Sequence, residues 1–412
     1  MKPKEQKGVF VTTYFSFRDA LMQAYTLPYV RQIRAAVDPS YPVYLLSVEK
    51  RQDAMSSQER LKTTRQLELE GIHWVRLPYY RFGPQLLLWL PRLIGFSILI
   101  LQKRIGTIHA WCMSGGVPGY LLSVLTGKRL IIDSFEPHAE VMSETGTWRR
   151  SGLKFKVFFL LEKAMAKRAS ITIACTADMK SYASSRYGVI SGREYVKPAC
   201  VDLERFDFSK RKKNALVAEL GLSGKIVGVY AGKFGGLYLE QEVFDLCQAA
   251  YEEWGDRFRL LLLSREPKEN VLRWALNAGL PKECIVQRFV PHAQVAEYMG
   301  LGDFGLSPYA PVPSRKHAAP IKNAEYWALG LPVIITEGIA DDSELIRSTD
   351  AGCVIRSLEK SEYIRCIRKM NELLSTSSTE ELYKRIRPLA ENLRNFNVAC
   401  AVYDSIYSER PV

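Results

Sequence analysis

The chain has 412 residues, of which 47% are hydrophobic and 25% are charged, and its formal net charge is +13. This length predicts two or three domains, and the composition is that of a folded globular protein rather than a disordered chain. The eight cysteines include no Cys-x-x-Cys pair and no His partner at zinc spacing, which predicts reduced thiols in a cytoplasmic protein. The N-terminal stretch lacks the apolar core of an export signal.

Positive charge is concentrated in the first half of the chain. Residues 1–200 contain 29 basic residues (Lys and Arg) and 15 acidic residues (Asp and Glu), a net charge of +14. Residues 201–412 contain 28 basic and 29 acidic residues, a net charge of −1. Between Glu70 and Asp133 there is no acidic residue but there are seven basic ones: Arg76, Arg81, Arg92, Lys103, Arg104, Lys128 and Arg129. This asymmetry predicts an anionic partner for the first half, such as a membrane surface, a nucleic acid or a phosphorylated substrate.

Short β-branched runs alternate with helix-length segments along the chain. The first half has runs at residues 8–15, 41–48, 72–78, 107–112, 129–134 and 170–176. The alternation restarts after Val201, with runs at residues 225–233, 258–264, 284–290, 303–309, 331–337 and 351–355. This pattern is typical of parallel sheets with crossover helices. It predicts an α/β protein with two Rossmann-like doubly wound domains that face each other across a cleft and join near residues 197–206.

The segment QLLLWLPRLIGFSILIL, residues 85–101, approaches the ~20 apolar residues of a membrane span. Because Pro91, Arg92 and Gly95 interrupt it, we predict a crossover helix buried in the first domain, with an exposed apolar edge as the alternative. A second basic and aromatic run follows at residues 148–161. It contains four basic residues: Arg149, Arg150, Lys154 and Lys156. Such runs suit the lipid headgroup layer, so we predict that the first domain rests on an anionic membrane surface.

The segment APIKNAEYWALGLPVIITEG, residues 319–338, predicts a short helix followed by a buried strand. Pro320 suits the first turn of a helix, and Gly330 suits its end. The free N–H groups of that first turn favour a bound phosphate, and Lys322 adds a full charge. Glu325, about one turn further, can accept hydrogen bonds from hydroxyls such as those of a ribose. Taken alone, a solvated Lys and Glu on an amphipathic helix is an equally good interpretation.

A glycine-rich turn, VYAGKFGG at residues 229–236, follows another predicted strand. Gly232, Gly235 and Gly236 let the backbone approach a ligand closely, and Lys233 projects a cation. Glycines after a strand are commonly only turn residues. Two cation-bearing sites in one predicted domain nevertheless favour a phosphorylated ligand.

With these motifs, the sequence resembles the retaining glycosyltransferases of the GT-B fold, family four. The similarity extends over nearly the whole chain and is most specific in VKPACVDLERF, AGKFGG, RFVPHAQVAEYMGLGDFGLSPY and PIKNAEYWALGLPVI. It implies transfer of a sugar, with retention, from a UDP- or GDP-linked donor to a saccharide acceptor. Together with the basic first half, it predicts a polyprenyl-diphosphate-linked acceptor in surface polysaccharide synthesis. The expected domains are an acceptor-binding domain at residues 1–200, a donor-binding domain at residues 201–385 and a terminal helix at residues 386–412 that packs back on the first domain.

The resemblance also implies roles for individual residues. Lys233 would neutralise the donor diphosphate, Glu325 would contact the ribose, and Phe289 and Val290 would line the nucleobase pocket. The expected catalytic residues are Lys233, Glu325, Lys322 and His317, and the expected donor-binding residues are Gly232, Gly235, Phe289, Val290, Pro320, Ile321 and Asn323. In the first domain, predicted strand ends place these acceptor-side candidates: Phe15, Arg18, Asp133, Glu136 and His138. Asp133 can equally cap the helix that follows it.

Two positions depart from the family pattern. The family commonly has two glutamates separated by seven residues, and counting back from Glu325 places His317 at the first position. The carboxylate expected to touch the donor sugar is therefore absent, and His317 is either its substitute or a structural loop histidine. A second lysine usually follows the glycine-rich turn, where this chain has Leu237 and Tyr238. The candidates for supplying that charge are Arg315, Lys316 and Lys322.

No Asp-x-Asp or other carboxylate pair suited to a catalytic metal stands at a predicted strand end, and Asp341 and Asp342 are predicted to start a helix. We therefore expect an enzyme without a metal ion or cofactor. No nucleic-acid recognition motif is visible, so no nucleic-acid partner is expected. The alternatives are a same-fold epimerase or phosphorylase and a non-catalytic basic membrane-binding protein. The expected location is cytoplasmic, peripheral on the inner face of the membrane.

Overall fold

The computed structural model describes residues 8–80, 84–189 and 192–408. The described chain divides into two compact units, each built on one parallel sheet. The first unit lies within Met1–Ala139, Lys156–Lys197 and Asn397–Val412, and the second comprises Glu140–Phe155 and Pro198–Phe396. Arg81, one of the predicted basic set, falls outside the described residues.

The first sheet has seven parallel strands in the order β3-β2-β1-β4-β5-β6-β7. They are β1 (Gly8–Thr12), β2 (Val43–Glu49), β3 (Ile72–Pro78), β4 (Ile105–Trp111), β5 (Arg129–Phe135), β6 (Ile171–Ala174) and β7 (Arg193–Val196). Up to β7 the α-helices are α1 (Leu27–Ala36), α2 (Ser57–Leu69), α3 (Leu90–Gln102), α4 (Cys112–Thr126), α5 (His138–Glu144), α6 (Leu153–Arg168) and α7 (Met179–Tyr182). The strand order reverses between β1 and β4, as in doubly wound Rossmann-like sheets.

The second sheet has six parallel strands in the order β10-β9-β8-β11-β12-β13. They are β8 (Ile226–Ala231), β9 (Phe258–Leu263), β10 (Ile285–Arg288), β11 (Phe304–Ser307), β12 (Val333–Thr336) and β13 (Gly352–Ile355). The α-helices after β7 are α8 (Asn214–Glu219), α9 (Gln241–Trp254), α10 (Lys268–Ala278), α11 (Val295–Met299), α12 (Ile321–Ala328), α13 (Asp342–Ser348), α14 (Lys360–Thr376), α15 (Thr379–Leu393) and α16 (Phe396–Tyr407). The order reverses between β8 and β11.

The prediction of two Rossmann-like α/β domains is confirmed, and each of the twelve predicted runs contains a strand. The sequence missed β7 (Arg193–Val196), a strand at the edge of the first sheet with exposed or half-buried side chains. Such a strand lacks the apolar run on which the prediction depended.

A buried charged cluster organises the first unit around Asp133 on β5. The carboxylate lies 3.1 Å from the ammonium of Lys197 and 3.0 Å from Nε2 of His109, and it accepts a 2.7 Å hydrogen bond from the Tyr403 hydroxyl. Burial alone would raise the pKa of Asp133, but Lys197 and the two hydrogen bonds lower it to about 2. The cluster joins α16, which carries Tyr403, to the first sheet. Asp133 therefore bonds core groups from three other elements, and its contact with an acceptor stays a prediction.

Helix α3 is not the buried helix that we predicted for this segment. It has the exposed apolar edge that was the alternative. Leu93 and Ile100 pack into the core, but the opposite side of the helix is about half exposed and apolar. Helix α4 packs against α3 and exposes further aliphatic side chains. We define the apolar face by these residues: Leu90, Ile94, Ile98, Leu101, Leu121, Val124 and Leu125. No helix in the described part of the chain has the length and apolar character needed to cross a membrane.

Gly330 ends α12 as predicted, and two separate features require glycine there. Its φ of +69° lies in the left-handed region, and a Cβ would lie 2.4 Å from the Cα of Tyr383 on α15. We predict that Gly330→Ala lowers the free energy of unfolding by about 2–4 kcal/mol, the sum of backbone strain and overpacking. Gly338→Ala is the matched control, because Gly338 has a φ of +74° but no atom within 4 Å of its Cβ position. Thermal unfolding should show the larger loss for Gly330→Ala, and equal losses would contradict the packing argument.

Candidate functional site

Helix α12 is fixed against the second sheet by the hydroxyl of Tyr326. This oxygen lies 3.2 Å from the carbonyl oxygens of both Val229 on β8 and Leu306 on β11, and it accepts a 3.3 Å hydrogen bond from the N–H of Ala231. Gly305 on β11 permits the approach, since a Cβ there would lie 2.6 Å from the Tyr326 ring. The first turn of α12 is therefore held in a defined position beside the second sheet.

The two ends of α12 have different electrostatic surroundings. At the C-terminal end, buried guanidinium groups donate to the last carbonyls: Arg387 to Ala328 at 2.8 Å and Arg211 to Leu329 at 3.3 Å. Cations at this end complement the negative pole of the helix. At the N-terminal end a cation, Lys322, lies beside the positive pole, so the charges there add rather than cancel.

Lys322 is buried without a counter-ion that bonds it. Its side chain is 6% exposed, and its ammonium has no hydrogen-bond partner among the described residues. The nitrogen lies 4.3 Å from the ring centre of Tyr238, 4.8 Å from that of Tyr230 and 5.4 Å from that of Tyr309. Burial lowers the pKa of Lys322, because a charged group leaves water. The aromatic faces compensate only part of this cost, and a bound anion would compensate more.

Two further cations surround the same tyrosines. Arg315 is 3% exposed, and its guanidinium lies 4.6 Å from the Tyr309 ring centre. Lys233 is exposed on the turn that follows β8. Burial alone would raise the pKa of the Tyr238 phenol, but Lys322, a hydrogen bond with Tyr309, and the charges of Arg315 and Lys233 lower it. We call Lys233, Arg315 and Lys322, with the tyrosines between them, the cationic pocket.

The glycine-rich turn shapes this pocket. A Cβ at Gly232 would lie 2.8 Å from the Lys322 nitrogen, so any larger residue would displace the ammonium. At Gly235 the φ is +76°, and a Cβ would lie 2.5 Å from an Oε1 atom of Glu240. The turn therefore requires glycine for packing as well as for backbone conformation.

Glu325 lies one helical turn beyond Lys322 and is also buried. Burial raises its pKa to about 7, although Arg205 and Lys322 favour the ionised form. Arg205 donates to Nδ1 of His292 at 2.9 Å. Burial and the neighbouring Arg205 lower the pKa of His292 to about 4, so His292 is a neutral acceptor near pH 7. The sequence did not predict Arg205 or His292, because nothing local indicates a pair 87 residues apart.

The residues that follow β10 form a different surface. Phe289 is 57% exposed, and the guanidinium of Arg265 lies 4.0 Å from its ring centre. Val290 beside it is buried. An exposed aromatic ring with a buried neighbour can stack on a planar ligand group, as the nucleobase prediction requires.

The remaining candidates of the second unit have structural contacts. Pro320 precedes the first residue of α12, Ile321, so the helix begins one residue later than Pro320 itself. The side-chain N–H of Asn323 donates to Asp342 at 2.6 Å, whereas its amide oxygen is buried and has no hydrogen-bond partner among the described residues. His317 is buried in a short 3₁₀ helix ahead of α12.

The acceptor-side candidates of the first unit differ in their surroundings. Phe15 is half-buried, and Glu136 and His138 are half-buried beyond the end of β5. Arg18 is exposed, donates to the carbonyl of Ala54 at 3.0 Å and pairs with a glutamate of α2. The acceptor-side roles of Phe15, Arg18, Glu136 and His138 stay predictions.

The carboxylates show no arrangement suited to a metal. Among residues 8–80, 84–189 and 192–408, no group of three or more His, Cys, Asp or Glu is placed to hold an ion. Asp341 and Asp342 start α13 as predicted, and the buried Asp342 pairs with Arg394.

Two domains, each with one parallel sheet whose strand order reverses, define the class of doubly wound α/β proteins. Within this class, residues 227–372 match the family model described as "Glycosyl transferases group 1". This part of the chain, which contains Gly232, Lys233, Lys322 and Glu325, is therefore a glycosyl transferases group 1 domain. A comparison with curated protein sequences found no match.

Solved structures share the fold over almost the whole chain. Sucrose-phosphate synthase from Thermosynechococcus elongatus is 14% identical, with 97% of this chain and 98% of that one covered and a TM-score of 0.72. Anabaena Alr3699/HepE in complex with UDP and glucose is 15% identical, with 98% and 100% covered and a TM-score of 0.71. WaaG, a glycosyltransferase involved in lipopolysaccharide biosynthesis, is 14% identical, with 98% and 100% covered and a TM-score of 0.68. The chain thus has the fold of GT-B glycosyltransferases.

The unbonded ammonium leads to a prediction with two opposite effects. Lys322→Met keeps the side-chain length but removes the buried charge, so we expect it to raise the free energy of unfolding by about 1–3 kcal/mol. The same change should weaken binding of inorganic diphosphate at least about tenfold, equivalent to ~1.4 kcal/mol. Lys282→Met, at an exposed lysine of the same unit, should change neither quantity. Thermal unfolding and calorimetry measure both, and a less stable Lys322→Met protein would contradict an uncompensated charge.

The raised pKa of Glu325 leads to a pH dependence. Its folded pKa of about 7 exceeds the ordinary 4.5, so the folded protein holds more protons between these values. The contribution of Glu325 to stability is therefore fully present below pH 4.5 and is lost as the pH rises through 7, by on the order of 3 kcal/mol. Glu325→Gln cannot ionise and lacks this loss. The melting temperature of the wild type relative to Glu325→Gln should fall between pH 5 and 8, and a constant difference would refute the assignment.

Proposed function

We propose that the protein is a glycosyltransferase that uses a UDP- or GDP-linked sugar donor bound by its second domain. The observation that carries the proposal is the buried, unbonded ammonium of Lys322 beside Gly232 and the start of α12. The match of residues 227–372 to the glycosyl transferases group 1 model supports it. So does the fold shared with an Anabaena protein whose structure was solved with UDP and glucose.

The cationic pocket binds the donor diphosphate. A nucleotide-sugar diphosphate carries two negative charges, which meet Lys322, Arg315, Lys233 and the free N–H groups of the first turn of α12. As the bond to the anomeric carbon breaks, negative charge grows on the departing β-phosphate. Each donor already aimed at that charge lowers the barrier by about 3 kcal/mol in a closed site. Side-chain cations thus take the role that a divalent metal plays in other transferases.

Other residues orient the donor. The carboxylate of Glu325 accepts hydrogen bonds from the ribose hydroxyls, and the neighbouring Arg205 and Lys322 favour this ionised form against the effect of burial. The exposed ring of Phe289, backed by Arg265, stacks on the nucleobase, with Val290 beneath it. His317 lies next to the sugar and affects which sugar is accepted. The sugar is transferred with retention, as the sequence resemblance implies.

These roles predict losses of turnover. Lys233→Ala and Glu325→Ala should each lower kcat at least about tenfold, since each removes a contact made to the donor in the transition state. Lys282→Ala, at an exposed lysine outside the pocket, is the control and should retain full activity. The assay is release of nucleoside diphosphate from a panel of nucleotide sugars. Full activity of both pocket variants with the best donor would reject the assignment, and His317→Ala should change the order of preferred donors.

We further propose that the first domain binds an anionic membrane surface and receives a lipid-linked saccharide there. The apolar face of α3 and α4 is exposed, and exposed basic residues lie on α3 and close to the ends of both helices: Arg92, Lys103, Arg104 and Arg129. Aliphatic side chains suit the acyl boundary and basic ones suit anionic headgroups. In the second basic run, Arg149, Arg150 and Lys154 belong to the second unit, where Arg150 pairs with Glu140 at 2.9 Å and Lys154 lies over the Trp148 ring, so only the exposed Lys156 adds to the first unit. The proposed location is the cytoplasmic face of the membrane.

Sedimentation with liposomes tests the membrane proposal. Binding should rise with the fraction of anionic lipid and fall with salt, because each basic residue near the surface contributes about 1 kcal/mol. The double change Ile94→Ser and Ile98→Ser should weaken binding by removing buried apolar area. The matched control is Leu272→Ser with Leu276→Ser, which removes exposed leucines from α10 of the other unit. Equal, negligible sedimentation with neutral and anionic vesicles at low salt would reject the proposal.

A further inference from the structure

Two cysteines of the second unit share one guanidinium group. Cys353 lies on β13 and Cys366 on α14, and both are unbridged. The Nη1 atom of Arg365 lies 3.4 Å from the sulfur of Cys353, and its Nη2 atom lies 3.5 Å from that of Cys366. One side chain therefore contacts both sulfurs. Strand β13 and helix α14 thus bring two thiols and one cation together at the edge of the second sheet.

The guanidinium is held in this orientation from its other side. Glu362 accepts from Nε at 2.9 Å and from Nη2 at 2.8 Å, and the carbonyl of Val354 accepts from Nη2 at 2.7 Å. Because Arg365 has three fixed acceptors, it cannot turn away from the sulfurs. A thiolate beside a fixed cation is the usual environment of reactive cysteines, whereas a buried cysteine in apolar surroundings is inert.

The two thiols differ in acidity. The hydrogen bond from Cys366 and the charge of Arg365 outweigh burial and lower the pKa of Cys353. The hydrogen bond to Cys353, together with burial, raises the pKa of Cys366. Cys353 is therefore the more acidic of the two thiols. Cys247, which lies in another part of the same unit, provides a comparison, because burial raises the pKa of its thiol.

Cys353 also lines a surface cavity of about 430 Å³. Arg347, Arg356, Arg365, Arg368 and Lys369 line the same cavity, with two acidic residues. A small solute in this cavity comes close to Cys353, whose side chain is only 5% exposed. The pair thus combines a low-pKa thiol, a resolving thiol and a neighbouring cavity for a reactant.

We propose that Cys353 and Cys366 form a redox-active pair that a hydroperoxide oxidises to a disulfide. The Cys353 thiolate attacks the terminal oxygen of the hydroperoxide, the O–O bond breaks, and Cys353 becomes a sulfenic acid as hydroxide or alkoxide leaves. The sulfur of Cys366 then attacks the sulfenic sulfur, the disulfide forms, and the thiol proton leaves with the hydroxyl group as water. The hydroperoxide receives both electrons. The inference concerns a different site from sugar transfer and does not rest on it.

Oxidation of the intact wild-type protein by hydrogen peroxide is the first test. We expect loss of two free thiols, a mass decrease of two hydrogens and a cross-linked peptide pair that contains Cys353 and Cys366, all reversed by dithiothreitol. This experiment needs no variant, so a folding defect cannot obscure it. If both cysteines stay reduced while peroxide oxidises free cysteine in the same solution, the proposal is overturned.

Variants then assign the roles. In Cys366→Ser the reaction should stop at a sulfenic acid on Cys353 that dimedone traps, and in Cys353→Ser Cys366 should stay reduced. Arg365→Met should slow disulfide formation at least fivefold, whereas Arg365→Lys, which keeps a positive charge, should restore part of the rate. An unchanged rate in Arg365→Met, or oxidation of Cys247 as fast as that of Cys353, would contradict the role of the shared guanidinium.

Discussion

The positive charge of Lys322, placed inside the second domain without a bonded anion, is the constraint on which the candidate site depends. A buried ammonium destabilises the free protein, and three tyrosine rings offset only part of that cost. Other interactions in the second domain must therefore offset the free-energy cost of burying this ammonium and hold α12 in place. In the proposed function, a bound diphosphate brings the missing negative charge, so stability that is lost in the free protein is regained on binding.

The contacts that hold α12 lie along its whole length, and none of them uses the backbone N–H groups of its first turn. The Tyr326 hydroxyl fixes it to β8 and β11, and Arg387 and Arg211 bond its last carbonyls. Asn323 and Asp342 tie it to α13. Since all of these groups are buried and bonded, they leave the N-terminal turn as the part of α12 whose polar groups are available to a ligand. Preorganisation of this kind is what electrostatic stabilisation of a departing diphosphate requires.

The sequence predicted those features that local chemistry determines. β-branched runs marked twelve of the thirteen strands, and Pro320 and Gly330 marked the limits of α12, because proline and glycine have position-specific backbone preferences. Features that join distant segments were not predictable. The Tyr403 hydroxyl donates to the Asp133 carboxylate, although the two residues are 270 positions apart in the sequence. Arg387 donates to the carbonyl of Ala328, which is 59 positions away. For α3 the sequence left a buried helix and an exposed apolar edge as alternatives, because an apolar sequence indicates a hydrophobic helix but not which side the fold covers.

The pKa of Lys322 in the free and ligand-bound protein tests the central claim most directly. Selective ¹³C labelling of lysine, with the Lys322 signal assigned by its absence from a variant at that position, allows NMR titration of this one ammonium. The account predicts a pKa below the ordinary 10.5 in the free protein and a higher pKa when the site is saturated with UDP or GDP, because the diphosphate stabilises the charged form. An ordinary pKa in the free protein that does not change with either nucleotide would contradict the account.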